Sequence, residues 1–149
     1  MTDWLTAAQR SRNMSAIRSK GTKPEEQLGI LLQEMFPRRR IVRYPEGIGR
    51  PDYSVPSLRL MVFADGCYWH GCPKHGRIPE DNRDYWGPKL ERNKRRDRQV
   101  TRALKKEGWT VVRVWDHDLK GEMNSAAGKI KRGLTWAGKR TSVRQAEDR

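Results

Sequence analysis

Five side chains in this sequence are of the kinds that hold soft metal ions: Cys67, His70, Cys72, His75 and His117. The first four fall in one short loop, and His117 follows much later in Trp115-Asp116-His117. Thiolate sulfur and imidazole nitrogen are the donors that tetrahedral zinc prefers. Cys67, Cys72, His75 and His117 make a closed Cys2His2 set, which would tie the loop to a distant part of the chain. A zinc ion there would add folding energy to a thin core. Other assignments stay open at this level. Cys67 and Cys72 could pair as a local disulfide, His117 could be an ordinary surface residue, and His70 and His75 could exchange roles. If His70 is the spare imidazole, it can act as a general base near neutral pH.

The carboxylates form a second group. Arg50-Pro51-Asp52 opens a strand-like segment, and the next such segment ends at Asp65. A Pro-Asp at a strand start, with a polar residue about a dozen positions later at the end of the neighbouring strand, resembles the PD-(D/E)xK nuclease core. That pattern suits a hard divalent ion, which takes oxygen ligands from the protein and from phosphate. Glu25 and Glu26 open the first long helix, where acids also suit the helix dipole.

These groups need elements to position them. Thr22-Lys23-Pro24-Glu25 reads as a helix start, with Thr22 as cap and Glu25 closing a capping box. Leu28, Leu31, Leu32 and Met35 follow at helical spacing, and Pro37 stops the helix. Ile41 and Val42 suggest a strand. Residues 45–51 form a loop, Asp52 to Val55 a strand, and Pro56-Ser57 a turn. Leu58 to Ala64 reads as a strand, and its apolar stretch from Leu60 to Ala64 is that expected for a central strand buried on both faces. Residues 82–108 predict a charged helix with a narrow apolar stripe of Leu90, Val100 and Leu104. Trp109 to Trp115 predicts a strand. The remainder reads as a short helix followed by a polar, flexible tail over 138–149. The predicted fold is α/β, a small mixed sheet flanked by helices. Residues 1–20 form a basic arm, with the folded domain spanning 21–137.

Composition bounds the partner. Lys plus Arg is 32 and Asp plus Glu is 18, a net charge of +14 on 149 residues. Such an excess suggests a polyanion, with nucleic acid the default, although a solvated basic face is the plainer alternative. Large aliphatics and Phe make up only about 17% of the chain, a value that warns of disorder. Six tryptophans argue for a small folded core instead. No apolar run approaches a membrane span and no signal peptide is visible. Two cysteines make no disulfide framework. The expected location is cytoplasmic, with the nucleoid.

Together the pieces resemble the very short patch repair (Vsr) endonucleases. The matching strings are residues 10–18, Thr22-Lys23-Pro24-Glu25, Gly49-Arg50-Pro51-Asp52, Val62 to His75, Asn93 to Asp97, Gly108-Trp109 and Val114-Trp115-Asp116-His117. The resemblance covers about residues 8–120. It implies a PD-(D/E)xK-like nuclease with a structural zinc that nicks one strand of duplex DNA 5′ to the T of a T:G mismatch left by 5-methylcytosine deamination. It implies Mg2+ held by Asp52 and the backbone carbonyl of Ala64, with His70 as general base or water-positioning group and Glu25 supporting His70. It assigns zinc to Cys67, Cys72, His75 and His117. It also implies aromatic wedges at Tyr68, Trp69 and Trp86, with Met14 and Ile17 entering the opposite groove, because a mismatched step is cheap to unstack. Packing, for Trp86, and a cap over the loop, for Tyr68 and Trp69, are the alternatives. Arg12, Lys94 and Arg95 would contact phosphates.

The chain departs from the family pattern in places. Some members carry Thr at the position of Ala64 and His at that of Asp65. A carbonyl ligand survives the first change and a hydroxyl contact does not. Asp65 would bind metal directly or steady it. Cys72 and His75 stand where some members have His then Cys at a shorter spacing. A sequence-specific restriction-type endonuclease and a non-catalytic zinc-stabilised DNA-binding module are the competing readings. A monomer is expected, together with a cognate cytosine-5 methyltransferase and mismatch-repair proteins as functional partners.

Overall fold

The structure, a computed structural model, describes residues 6, 8–9, 21–67, 70–74, 83–120 and 124–147. Met14, Ile17, Arg12, Tyr68, Trp69 and His75 lie outside the described residues. Helix α1 (Lys23–Met35) buries Leu28, Leu31 and Leu32, the stripe set by their spacing. Its start differs from the expected capping box. The Thr22 side chain makes no cap bond. Glu25 Oε2 instead accepts bonds from the Gly21 N–H (2.9 Å) and the Tyr44 hydroxyl (2.5 Å). Glu25 is buried, and the hydroxyl of a strand-side tyrosine outcompetes the local bond.

Strands β1 (Val42–Arg43), β2 (Tyr53–Val55), β3 (Leu60–Asp65) and β4 (Thr110–Trp115) form one mixed sheet in that order. β1 and β2 are antiparallel, as are β2 and β3, whereas β3 and β4 are parallel. β3 is central, as its apolar run demands. It begins at Leu60 rather than Leu58, because Pro56–Leu58 form a 3-10 turn and Arg59 takes a left-handed conformation (φ 48°).

Alternation along the strands divides the core. Leu60 and Val62 of β3, with Val112 and Val114 of β4, face one layer, formed by α1 and the last helix α3 (Asn124–Glu147). Met61 and Phe63 face the other layer, where Val100 and Leu104 of helix α2 (Arg83–Lys106) pack. α3 is longer than the sequence suggests, and its helical backbone continues past Gly138. Ala126, Ile130 and Leu134, four apart, pack on the sheet and override its low intrinsic propensity. Gly133 of this helix sits where a Cβ would press on Val112, so its lack of side chain permits the close approach. No described helix is long and apolar enough to cross a membrane.

Candidate active site and metal centre

Parallel pairing of β3 with β4 builds the metal centre. Asp65 is in register with Trp115, so both chains leave the sheet at the same end. Two residues further along, Cys67 and His117 meet: Cys67 Sγ lies 3.2 Å from His117 Nδ1. The loop then turns back. The Cys72 N–H donates to the Cys67 carbonyl (2.9 Å), and Gly71 takes φ 68° to make that turn. Cys72 Sγ comes within 3.6 Å of the same Nδ1. Ligands of one tetrahedral zinc stand about 3.5 Å apart for one sulfur and one nitrogen, given Zn–S and Zn–N bonds of about 2.3 and 2.0 Å. Both sulfur–nitrogen distances fit that spacing, the three donor atoms lie within 4.8 Å of one another, and neither cysteine is in a disulfide.

Burial pushes the Cys67 thiol above its ordinary pKa, and the bond to His117 only partly opposes this. A cation among the donors favours the thiolate. On the far side of the ring, His117 Nε2 faces Asp118 Oδ1 at 3.6 Å, the carboxylate partner that zinc-bound imidazoles commonly have. Asp118 in turn accepts bonds from the Trp115 N–H, Ser125 Oγ and Lys129 Nζ, which ties α3 to the centre. Burial alone would raise its pKa, but Lys129, Ser125 and the Trp115 N–H together hold it below the ordinary carboxylate value.

Asp52 stands just before β2, whose pairing with β3 reaches Val62. The Ala64 N–H, beyond that pairing, donates to Asp52 Oδ2 at 2.8 Å. In a strand the N–H and C=O of one residue point to the same edge, so the Ala64 carbonyl opens toward the Asp52 side. Burial raises the Asp52 pKa to about 7; the Ala64 N–H opposes the rise, while Glu25 and Asp65 add to it. A carboxylate held among other carboxylates in this way fits a hard divalent cation, which neutralises the cluster. The sign of the pH dependence follows. The proton competes with the cation, so Mg2+ or Mn2+ affinity should rise with pH up to about 7 and level off above it. Calorimetric metal titrations across pH check this. A flat profile in wild type, or a slope retained in Asp52→Asn, would contradict it.

His70 sits apart from the thiolates. Its Nδ1 is 2.6 Å from Asp97 Oδ2 and 3.8 Å from Asp65 Oδ1. Burial lowers its pKa, but the Asp97 bond and the two carboxylate charges outweigh burial, and the net direction is upward. Sequence reasoning missed Asp97 as the partner of His70. That position was assigned to Glu25, which the structure places beside Asp52 and Tyr44 instead. Asp97 is the lone acid in the basic run Arg92 to Arg98, a usable signal. Arg113, also missed, interrupts the apolar β4 and bonds both oxygens of Asp65 at 3.1 Å. Burial pushes the pKa of Asp65 up, against Arg113 and His70.

Of the expected DNA contacts, Arg95 is exposed on α2, and Lys94 is half-buried, pairs with Glu91 and packs over Gly71. Trp86, expected as a wedge, is buried, with its ring edge-on to Tyr85 at 5.0 Å. It lies in the first turns of α2 with Lys89 Nζ 5.5 Å from its ring centroid, and Tyr85 is the exposed aromatic of the pair.

Comparison with known proteins agrees with this geometry. The family model described as DNA mismatch endonuclease Vsr matches residues 2–75. The type II nicking enzyme V.NaeI of Lentzea aerocolonigenes is 47% identical over 115 residues, covering 74% of this chain and 69% of that one. The DNA mismatch endonuclease Vsr of Escherichia coli is 35% identical over 124 residues, covering 81% and 78%. The catalytic domain of the homing endonuclease I-Bth0305I shares the fold, with a TM-score of 0.51 at 16% identity over 78% of this chain and 98% of that one. At these identities and coverages the likeness carried by Arg50-Pro51-Asp52 and the Cys/His loop is kinship: the chain belongs to the Vsr endonuclease family, and its chemistry is metal-dependent nicking of DNA by phosphodiester hydrolysis.

Proposed function

We propose that the chain cuts one strand of duplex DNA at a site marked by local sequence, with Asp52 and the Ala64 carbonyl holding Mg2+ against the scissile phosphate. The observation that carries this reading is the placement of Asp52, the Ala64 edge and His70 around the C-terminal end of β3. A divalent ion bound there would neutralise phosphate charge and acidify water. Asp97 holds His70 Nδ1, which leaves Nε2 as the nitrogen that can take a proton from attacking water. Glu25 orders the Asp52 side through Tyr44. Cys67, Cys72, His75 and His117 hold a structural zinc. Arg12, Lys94 and Arg95 contact phosphates, and Met14, Ile17, Tyr68 and Trp69 engage the stacked bases.

Two readings of the mark remain distinct. The first is nicking directed by sequence, which the naming of V.NaeI as a type II nicking enzyme favours. The second is nicking 5′ to T in a T:G mismatch within such a sequence, which the family model's description and the Escherichia coli relative favour. A cognate cytosine-5 methyltransferase and mismatch-repair proteins belong to the second reading.

End-labelled duplexes that differ only in T:G, T:A or C:G at one position, across varied flanks, decide between them. Cutting of matched duplexes at one sequence establishes the first reading. Cutting confined to the T strand of the mismatch establishes the second. Binding without cutting of any duplex in Mg2+ would overturn both.

A further inference from the structure

Arg113 is a charged residue on the sheet face that also carries Met61, Phe63, Asp65 and Val111. Even partly burying a guanidinium there is costly unless the group is engaged. It is. Nε donates to Thr101 Oγ1 at 3.0 Å, and the guanidinium stacks on the Phe63 ring at 4.0 Å. Nη1 lies 3.1 Å from both oxygens of Asp65 and 3.6 Å from Asp97 Oδ1. Nη2 reaches the Asp97 backbone carbonyl at 3.4 Å. One nitrogen therefore sits between two carboxylates that, with His70, offer donor atoms all within 4.8 Å of one another, a spacing able to grip a metal ion.

We propose that Arg113 is a built-in cation: its Nη1 takes the position between Asp65 and Asp97 that a divalent ion would otherwise hold, and by fixing Asp97 it positions His70. The guanidinium cannot be deprotonated and does not exchange, so it repels a second cation at this place permanently. Divalent metal is then confined to the Asp52 and Ala64 edge. Parity along the strands creates the arrangement. Arg113 is paired with Phe63, so its side chain joins those of Phe63 and Asp65 on the α2 face, where Asp97 and Thr101 stand one helical turn apart.

The inference rests on the proposed function only for where the remaining ion goes, and its test counts ions bound rather than bonds cut. Zinc-loaded protein carrying Asp52→Asn removes the first metal site. Titration with Mn2+, read by the paramagnetic resonance of the free ion, should then find no bound Mn2+. Adding Arg113→Met, which keeps the stem against Phe63, should create one Mn2+ site per chain, and Asp65→Asn should abolish it. Arg113→Gln should behave like Arg113→Met, and Arg113→Lys, which keeps the charge, should bind none. Two results overturn the proposal. One is Mn2+ bound in Asp52→Asn alone and lost on Asp65→Asn, an arm that needs no change at Arg113. The other is no gain in either neutral Arg113 variant while zinc content and melting temperature stay at the parent's values.

Discussion

Asp52→Asn should cut DNA at least about 10³-fold more slowly than wild type at saturating Mg2+, a loss of roughly 4 kcal/mol of transition-state stabilisation. The amide oxygen still accepts the Ala64 N–H, so the local fold survives the change. What disappears is the anionic donor. Duplex binding should persist, because the change removes no basic side chain and adds no negative charge. Stability should move the other way. A carboxyl whose folded pKa stands near 7, well above its unfolded value, makes the metal-free protein lose stability as pH rises from the unfolded pKa through about 7. The neutral amide removes that slope. Asp52→Asn should therefore melt at or above the wild-type temperature in metal-free buffer at pH values beyond about 7. Single-turnover cleavage and thermal melts measure both effects. Wild-type cleavage rates in the variant would show that Asp52 is not the metal-holding group. A variant that melts well below wild type would instead assign Asp52 a structural role.

Zinc removal should unfold the domain. A structural zinc contributes on the order of 10 kcal/mol, against a total stability of about 5–15 kcal/mol for a small domain. Here the ion would join the β3 exit, through Cys67 and Cys72, to the β4 exit, through His117. It would also anchor the Asp118 network that holds α3. His117→Ala and Cys72→Ser should each contain less than one zinc per chain and lose the cooperative melt, and a chelator should do the same to wild type. Zinc content by elemental analysis, with circular dichroism on heating, gives the answer. A His117→Ala protein with full zinc and an unchanged melt would exclude His117 from the ligand set.

Local chemistry explains how much was legible beforehand. The Leu28, Leu31 and Leu32 stripe, the doubly buried β3 and the Leu90, Val100 and Leu104 face all follow from short-range periodicity. The donor types at Cys67, Cys72 and His117 are equally plain, because few other side chains offer soft ligands. Three features ran against local signals. Trp86 is buried although it lies in the first turns of a largely charged helix, since burying the ring outweighs presenting it as a wedge. α3 runs 24 residues through several glycines, because packing of Ala126 and Ile130 outweighs propensity. Glu25 leaves its capping box for the Tyr44 hydroxyl, a partner 19 residues away.

By itself, then, the sequence determined the chemical inventory: thiols and imidazoles for a soft ion, a Pro-Asp carboxylate for a hard one, a basic surface for a polyanion, and the strands and helices to carry them. Only the tertiary structure decided which acid serves His70 and which cation answers Asp65. Asp65, His70, Asp97 and Arg113 come from a strand, a loop, a helix and a second strand. Their meeting depends on the parallel register of β3 with β4 and on the turn of α2 that faces it. Register between distant segments is a property of packing, and no spacing within any one segment encodes it.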